Sequence, residues 1–434
     1  MNTIYKNIHT LSPAHYLTYT KDIINVERYW NYPSINNSIS LEEAIDEFQS
    51  LLQKSVSKQL VADVPVGAFL SGGLDSSTIV AISSEYTDNL KTFSFNFEGD
   101  LSEQAYAVSV AEQYGTDHTE LEEKDIRIDE ILIQMQKVYD EPFADSSNIP
   151  TYLISKLASE HMKVILTGDG GDEIFGGYNR YLFAQKIKKI FSLYPYFLRK
   201  NISKLFLNIS PRAYDSFFKI FGKRIHTKIN GDKIHKFSGI LGLNEFGEIY
   251  EHLLSFYPRN EIPVKNDLLK EYKKINFELD KNNFVEQMQL TDTNFYLPGD
   301  ILTKVDRASM AHGLEMRVPL LDHRVVEFAF NLPMNLKIHQ GQTKVILRNI
   351  LKEEINEKFF DRPKMGFAIP LSDWLRGPLK DWAWDLINQK KLNDGLIDVS
   401  MVKHIFNEHI SYKRNWQNKI WTILVYIIWK EKYM

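Results

Sequence analysis

Between residues 64 and about 178, short apolar runs alternate with stretches of helical period. "VGAFL" leads through a small-residue loop into the helical "SSTIVAISSEY". "KTFSFNF" precedes "SEQAYAVSVAEQYG", and "HTELE" precedes the helical "DEILIQMQKVYD" and "IPTYLISKLASEH". "MKVILTG" carries the continuous apolar run Val-Ile-Leu and reads as a buried strand. This alternation predicts a parallel, doubly wound sheet. Upstream, Leu41, Ile45, Phe48, Leu52 and Val56 recur at spacings of three and four, which predicts an amphipathic packing helix. Ser40 with Glu43 three residues later marks its start as a capping box. Residues 1–40 read as a short extended lead, too small to bury a core of its own and expected to pack on something else.

From 182 to 290 the pattern is mostly helical. The basic and aromatic run "QKIKKIFSLYPYFLRKNISKLF" predicts a solvated helix face over an apolar underside, with a lipid or partner surface as the alternative. From about 291 onward the pattern is again helical, broken at the polar "DRPKMGFAIP", and it closes on the strongly apolar "IWTILVYIIWKEKY". The 434 residues exceed one ordinary core, so two or more domains or one large α/β unit are expected. The net charge of −4 and the 25% charged residues fit a globular chain and give no reason to expect nucleic acid as a partner. No run reaches membrane-spanning length and the N-terminus lacks signal-peptide layout, so no membrane partner is expected and the reading is cytoplasmic. Cysteine is absent, which excludes disulfides, thiolate metal sites and a cysteine nucleophile.

Two loops carry the chemistry. Ser71-Gly72-Gly73-Leu74-Asp75-Ser76-Ser77 follows one strand and opens a helix, so backbone N–H groups and the helix N-terminus can approach phosphate oxygens. The lysine of a Walker loop is missing and Asp75 stands in the loop instead. A carboxylate beside a polyphosphate calls for Mg²⁺ between them, so Asp75 is a candidate metal ligand. The second loop, "TGDGGDEIFGGY" from Thr167 to Tyr178, sets Asp169, Asp172 and Glu173 among glycines directly after a buried strand. In a doubly wound sheet both loops face one crevice, where Asp172 completes the Mg²⁺ site with Asp75. The first loop supplies no cation for a transferring phosphorus, which leaves Lys364, Arg307, Arg317 and Arg348 as candidates.

The first loop resembles the pyrophosphate loop of the N-type ATP pyrophosphatases. Within that group the chain is similar to the synthetase domain of glutamine-dependent asparagine synthetases, through "VPVGAFLSGGLDSS", "LTGDGGDEIFGGYNRY", "LPGDILTKVDRASMAHGLEMRVPLLDHRVVEFA" and "KVILRNILK…RPKMGFAIPL". The resemblance implies an adenine nucleotide alpha hydrolase-like α/β fold with a large helical C-terminal part. It divides the chain into a connector remnant at 1–40 and a synthetase-like domain at 41–434. It implies an AMP-forming carbon–nitrogen ligase in which aspartate attacks the α-phosphorus of ATP and ammonia displaces AMP to give asparagine. Ser71, Gly72, Gly73, Asp75, Ser76 and Ser77 would then hold the departing pyrophosphate, with Mg²⁺ on Asp75 and Asp172. Lys364 matches the lysine that stabilises the transition state. Asp169 matches an acidic position tied to adenylate formation, where other members have glutamate. Leu70, Phe95, Thr167 and Gly168 match positions lining the adenosine pocket. Asp145 to Asn148, in "EPFADSSN", are the candidates for the acid substrate.

One departure changes the expected activity. The family's glutaminase domain uses an N-terminal cysteine, whereas here residue 2 is Asn2, no cysteine occurs, and "SPAHYL" resembles the connector that follows that domain. No glutaminase activity is expected of this chain. Ammonia would come free or from a separate glutaminase subunit docking through residues 1–40, unless the chain is a truncation; a homodimer is compatible with either source. An amidotransferase acting on a sugar, a peptide or another carboxylate is the alternative; a β-lactam-forming relative would be expected to carry tyrosine where Asp169 stands. A non-catalytic nucleotide-binding protein is the competing class, and retention of Asp75, Asp172 and Lys364 argues against it.

Overall fold

The computed structural model describes residues 3–33, 38–95, 101–121, 128–219, 231–257, 261–265, 283–352, 369–389 and 395–434. The chain divides into two units. Met1–Glu141, Ser147–Leu182 and Gln289–Ile369 make the first, and Pro142–Ser146, Phe183–Met288 and Pro370–Met434 make the second.

In the first unit the N-terminal lead forms an antiparallel pair, β1 (His15–Thr20) and β2 (Ile23–Arg28), around a two-residue turn. Lys21 and Asp22 both take positive φ there, 50° and 65°, as the tightest hairpin turns require. The lead was expected to pack on something else, and only its flanks do so. Trp30 and Tyr32 lie against the core, and Trp30 Nε1 donates to Glu327 at 2.6 Å. The pair itself is bare: Tyr19, Ile23 and Ile24 are all more than 60% exposed.

Five parallel strands follow: β3 (Val66–Phe69), β4 (Lys91–Phe95), β5 (Asp117–Leu121), β6 (Val164–Leu166) and β7 (Glu315–Arg317). Their order is β5-β4-β3-β6-β7. The chain therefore winds outward from β3 to β5, returns to the other side of β3 as β6, and continues to β7. That doubly wound sheet is the one the alternating pattern predicts, and its switch point lies between β3 and β6. The central strands read apolar because they are covered: Ala68, Ile165 and Leu166 are fully buried. β7 was read as part of a helical stretch. Its three residues, Glu-Met-Arg, carry no apolar run; they are strand because Leu166 pairs with Arg317 along an already formed edge.

Helix α1 (Leu41–Gln59) starts at the predicted capping box, with Glu43 N–H donating to Ser40 Oγ at 3.2 Å and Ser40 N–H to Glu43 at 3.0 Å. Its buried stripe is Ala44, Phe48, Leu52 and Val56; Leu41, in the first turn, is exposed. Phe48 stacks on Phe328 and tilts against Phe175, which ties α1 to the segment following β6. Helices α2 (Leu74–Ser84), α3 (Leu101–Tyr114), α4 (Ile128–Val138) and α5 (Asn148–Ser159) fall where the pattern predicts them, and the short α6 (Gly171–Ile174) and α7 (Asn179–Leu193) come after β6.

The second unit is helical among its described residues. Its last helix, Gln417–Tyr433, buries Ile420, Trp421, Ile423 and Val425 on different sides, as expected of a core segment. No described helix is long and apolar enough to cross a membrane. One expectation is overturned. Helix α8 (Tyr196–Leu207) buries Arg199 and Ser203, while Phe197 and Leu205 are 67% and 64% exposed, so the apolar side chains lie outside. Arg199 can stay inside because its guanidinium donates to the carbonyls of Tyr194, Leu241 and Leu243 and lies 3.5 Å from the Phe191 ring centroid.

Candidate functional site

Ligands in doubly wound sheets collect beyond the carboxyl ends of the strands flanking the switch point. Here those ends lead into Leu70–Gly73 after β3 and Thr167–Gly170 after β6. The two sequence-predicted loops therefore leave from adjacent strands.

The first loop is shaped by its own hydroxyls. Ser71 Oγ accepts from Gly73 N–H at 3.3 Å and lies 3.0 Å from Ser76 Oγ; Ser76 Oγ in turn donates to Gly73 O at 3.2 Å. Gly72 sits at φ +67°, and a Cβ there would lie 2.6 Å from Ala107 N and Tyr106 Cβ. Helix α2 begins at Gly73 with no side-chain cap, so its first-turn N–H groups are left for a ligand. Ser77 is buried, and its hydroxyl has no hydrogen-bond partner among the described residues.

The second loop meets this helix end closely. A Cβ on Gly168 would lie 2.7 Å from Ser76 N and 2.8 Å from Asp75 C. Only glycine lets the two backbones touch. Thr167 Oγ1 donates to Asp169 at 2.8 Å, which folds that carboxylate back over the strand end. Leu70 and Thr167 are buried at the ends of β3 and β6, and Phe95 is buried at the end of the neighbouring β4.

Asp75 and Asp172 are brought together, and a residue missed in the sequence lies between them. Lys344 Nζ pairs with Asp75 and lies 2.7 Å from Asp172 Oδ1, with its side chain only 6% exposed. A cation was expected from Lys364 or three arginines. Lys364 lies outside the described residues. Arg317 donates to the carbonyls of Gln59 and Val61 at 2.7 Å, Arg307 pairs with Asp140 at 2.8 Å, and Arg348 donates to Thr343 O at 2.9 Å. Lys344 joins the two acids, since carboxylates this close repel unless a cation lies between them. No local sequence pattern marked it: Arg348 N–H donates to Lys344 O, so lysine stands at the cap of helix Val345–Lys352, where Ser, Thr, Asp or Asn is preferred. Lys344 also takes φ +54°, a sparsely populated backbone state of the kind found at functional sites.

Behind Asp172, Glu173 is 1% exposed. Burial pushes its carboxyl above the usual carboxylate range, opposed by the hydrogen bond from Tyr178 and by the Lys344 and Arg180 charges. Arg180 lies 3.7 Å from the Tyr178 ring centroid, and Nε donates to Asp292 Oδ2 at 3.0 Å. Asp292, fully buried, also accepts from Tyr181 Oη and begins the π-helix Asp292–Leu302. This brace, unseen in the sequence, fixes the acidic loop from behind. Of the acid-binding candidates, Ser147 accepts from Lys304 Nζ at 2.8 Å, and Asn148 is buried with Oδ1 unpartnered among the described residues. Asp145 and Ser146 fall in the second unit.

A separate open cleft of about 770 Å³ is lined by Glu43, Glu47, Arg324 and Glu327 and contains none of these loop residues. Glu43 is committed to the α1 cap and Glu327 to Trp30.

A family model described as "Asparagine synthase" matches residues 47–431. The chain is 32% identical over 392 residues to "Asparagine synthetase [glutamine-hydrolyzing] 1" of Bacillus subtilis, covering 89% of this chain and 59% of that protein. It is 32% identical over 389 residues to "Putative asparagine synthetase [glutamine-hydrolyzing]" of Mycobacterium tuberculosis, covering 88% and 57%. It is 24% identical over 445 residues to "Amidase chyE" of Penicillium rubens, covering 91% and 64%. The chain thus spans less than two thirds of the length of each of these relatives.

Proposed function

Because the chain belongs to the asparagine synthase family, we propose that it is an ATP-dependent amide-forming ligase converting aspartate, ATP and ammonia to asparagine, AMP and pyrophosphate. The observation that carries this reading is the meeting of the Ser71–Ser77 loop, at the free N-terminus of α2, with the acidic loop that brings Asp172 to Asp75.

The β-carboxylate of aspartate attacks the α-phosphorus, the bond to the bridging oxygen breaks, and pyrophosphate leaves. Backbone N–H groups of the loop and the α2 terminus receive its charge, as helix N-termini do for phosphates generally. Ammonia then attacks the β-aspartyl-adenylate carbonyl, AMP departs, and the amide loses a proton. Mg²⁺ fits the donor set. Asp75 Oδ1 is buried with no hydrogen-bond partner among the described residues, Asp172 lies across from it, and Mg²⁺ takes one or two carboxylates plus phosphate oxygens. No described group of three or more His, Cys, Asp or Glu residues could hold a metal without such oxygens. Asp75 and Asp172 would hold the ion, which when bound neutralises the β,γ-phosphate charge. Lys344 holds these carboxylates together before substrate arrives and turns to the phosphates afterwards. Lys364, Asp169 and the adenosine-lining set keep the roles the resemblance implies. These 434 residues include no cysteine nucleophile, so this synthetase part takes its nitrogen as ammonia, free or delivered by a glutaminase, for which the bare β1–β2 pair is the docking candidate.

The deciding assay measures AMP, pyrophosphate and asparagine with ATP, Mg²⁺ and aspartate, once with ammonium chloride and once with glutamine. Asparagine from ammonia and not from glutamine is expected. The resemblance to a protein named an amidase favours one second reading, a different carboxylate acceptor. Pyrophosphate exchange driven by another acid and not by aspartate would replace the first reading with that one.

A further inference from the structure

The inverted helix α8 belongs to a run of unusual charge. From Phe183 to Tyr214 the second unit carries seven Lys or Arg residues and no Asp or Glu, in a chain whose net charge is −4. The same run exposes its apolar residues. Leu193, the last residue of the helix before α8, is 73% exposed, and Phe197 and Leu205 follow on the outer face of α8. Eight residues separate that pair, so they stand about 12 Å apart along one side of the helix. Lys200 and Lys204, both exposed, lie one turn apart beside them, and neither has a carboxylate partner among the described residues. Tyr194 and Tyr196 flank the strip at 49% and 37% exposure, ring bodies with polar tips.

An outward apolar strip edged by lysines and tyrosines is the composition of a helix that lies in a membrane interface rather than across it. We propose that the α7–α8 region, from α7 (Asn179–Leu193) through α8, docks this protein on an anionic lipid surface. Phe197 and Leu205 enter the acyl boundary, and Lys200 and Lys204 pair with acidic headgroups. Charge decides against the other occupants. Two identical basic strips facing each other across a two-fold axis would repel, which disfavours a second copy. An acidic polypeptide would satisfy the lysines but gives no reason for the apolar side chains between them. The buried Arg199, bonded to three carbonyls, holds α8 in the orientation that turns Phe197 outward.

The test is co-sedimentation of the purified full chain with vesicles of pure phosphatidylcholine and of phosphatidylcholine mixed with phosphatidylglycerol, at low and high salt. Two double variants are compared, F197S/L205S and K200Q/K204Q; all four positions are exposed, and far-UV circular dichroism verifies folding. Wild type is expected to bind the phosphatidylglycerol vesicles, to bind pure phosphatidylcholine poorly, and to weaken with salt. Each double variant should weaken binding by about tenfold or more. Failure of wild type to bind anionic vesicles overturns the proposal, as does binding by both variants that equals wild type. Sedimentation velocity covers the second copy: a dimer abolished by F197S/L205S, with no lipid binding, assigns the strip to self-association. Binding of polyglutamate that survives F197S/L205S, again without vesicle binding, assigns it to an acidic polypeptide.

Discussion

Lys344 is a buried cation shared by two carboxylates, and its removal exposes what each partner does. Lys344→Met leaves Asp75 and Asp172 facing each other with like charge. Breaking a buried pair costs about 3–5 kcal/mol, and the partial exposure of both acids reduces that to roughly 2 kcal/mol. The melting temperature should fall without ligand and recover in part when Mg²⁺ and pyrophosphate are added, a comparison differential scanning fluorimetry makes directly. Asp75→Asn should abolish aspartate-dependent ATP–pyrophosphate exchange while leaving the fold intact; normal exchange in that variant would remove Asp75 from the metal site. Gly168→Ala is the backbone counterpart. Its methyl group must displace Ser76 N or Asp75 C, so a loss of about 1–3 kcal/mol and a lower exchange rate are expected together.

At the scale of elements, the π-helix Asp292–Leu302 and α7 are joined by one buried pair, Arg180 and Asp292. Asp292→Ala strands the guanidinium among Tyr178, Tyr181 and Tyr296, and a destabilisation of about 3–5 kcal/mol in urea denaturation is expected. A second element-scale prediction concerns pH. His409, on helix Val399–Ile410, accepts from Trp416 N–H at Nδ1, and its Nε2 is buried without a partner among the described residues. Burial, helped by the Arg376 charge, lowers its pKa to about 4. The folded protein therefore resists a proton that the unfolded chain accepts near pH 6.5, so stability is lost as pH falls from about 6.5 towards 4 and the loss stops below that. The magnitude is of order 1–2 kcal/mol after allowance for solvent screening. His409→Gln should flatten the stability–pH curve of the second unit in that window.

For the whole molecule, the sheet and both candidate loops lie in the first unit, and the second contributes an exposed basic and apolar strip. The activity assay and the vesicle assay therefore report on separate features, and a negative result in one leaves the other standing. The bare β1–β2 pair adds a third surface. If a glutaminase subunit supplies ammonia, Tyr19→Ser with Ile24→Ser should leave ammonia-dependent turnover unchanged and weaken glutamine-dependent turnover in the reconstituted pair.

Much of this was legible without coordinates, for local reasons. The α1 capping box, the βα alternation and the two loops after β3 and β6 are short-range patterns, in which neighbouring residues carry the whole signal. Asp75 and Asp172 could be paired from sequence because a doubly wound sheet leaves few places for its loops to go. Lys344 was not legible, since it is 269 residues from Asp75 and its cap position makes sense only once the acids are in place. The three-residue β7 needed an existing edge to pair with, and Arg180 needed Asp292, 112 residues away. In α8, composition alone implied an apolar underside. Three carbonyls able to receive Arg199 reversed the helix, and only the tertiary structure supplies them.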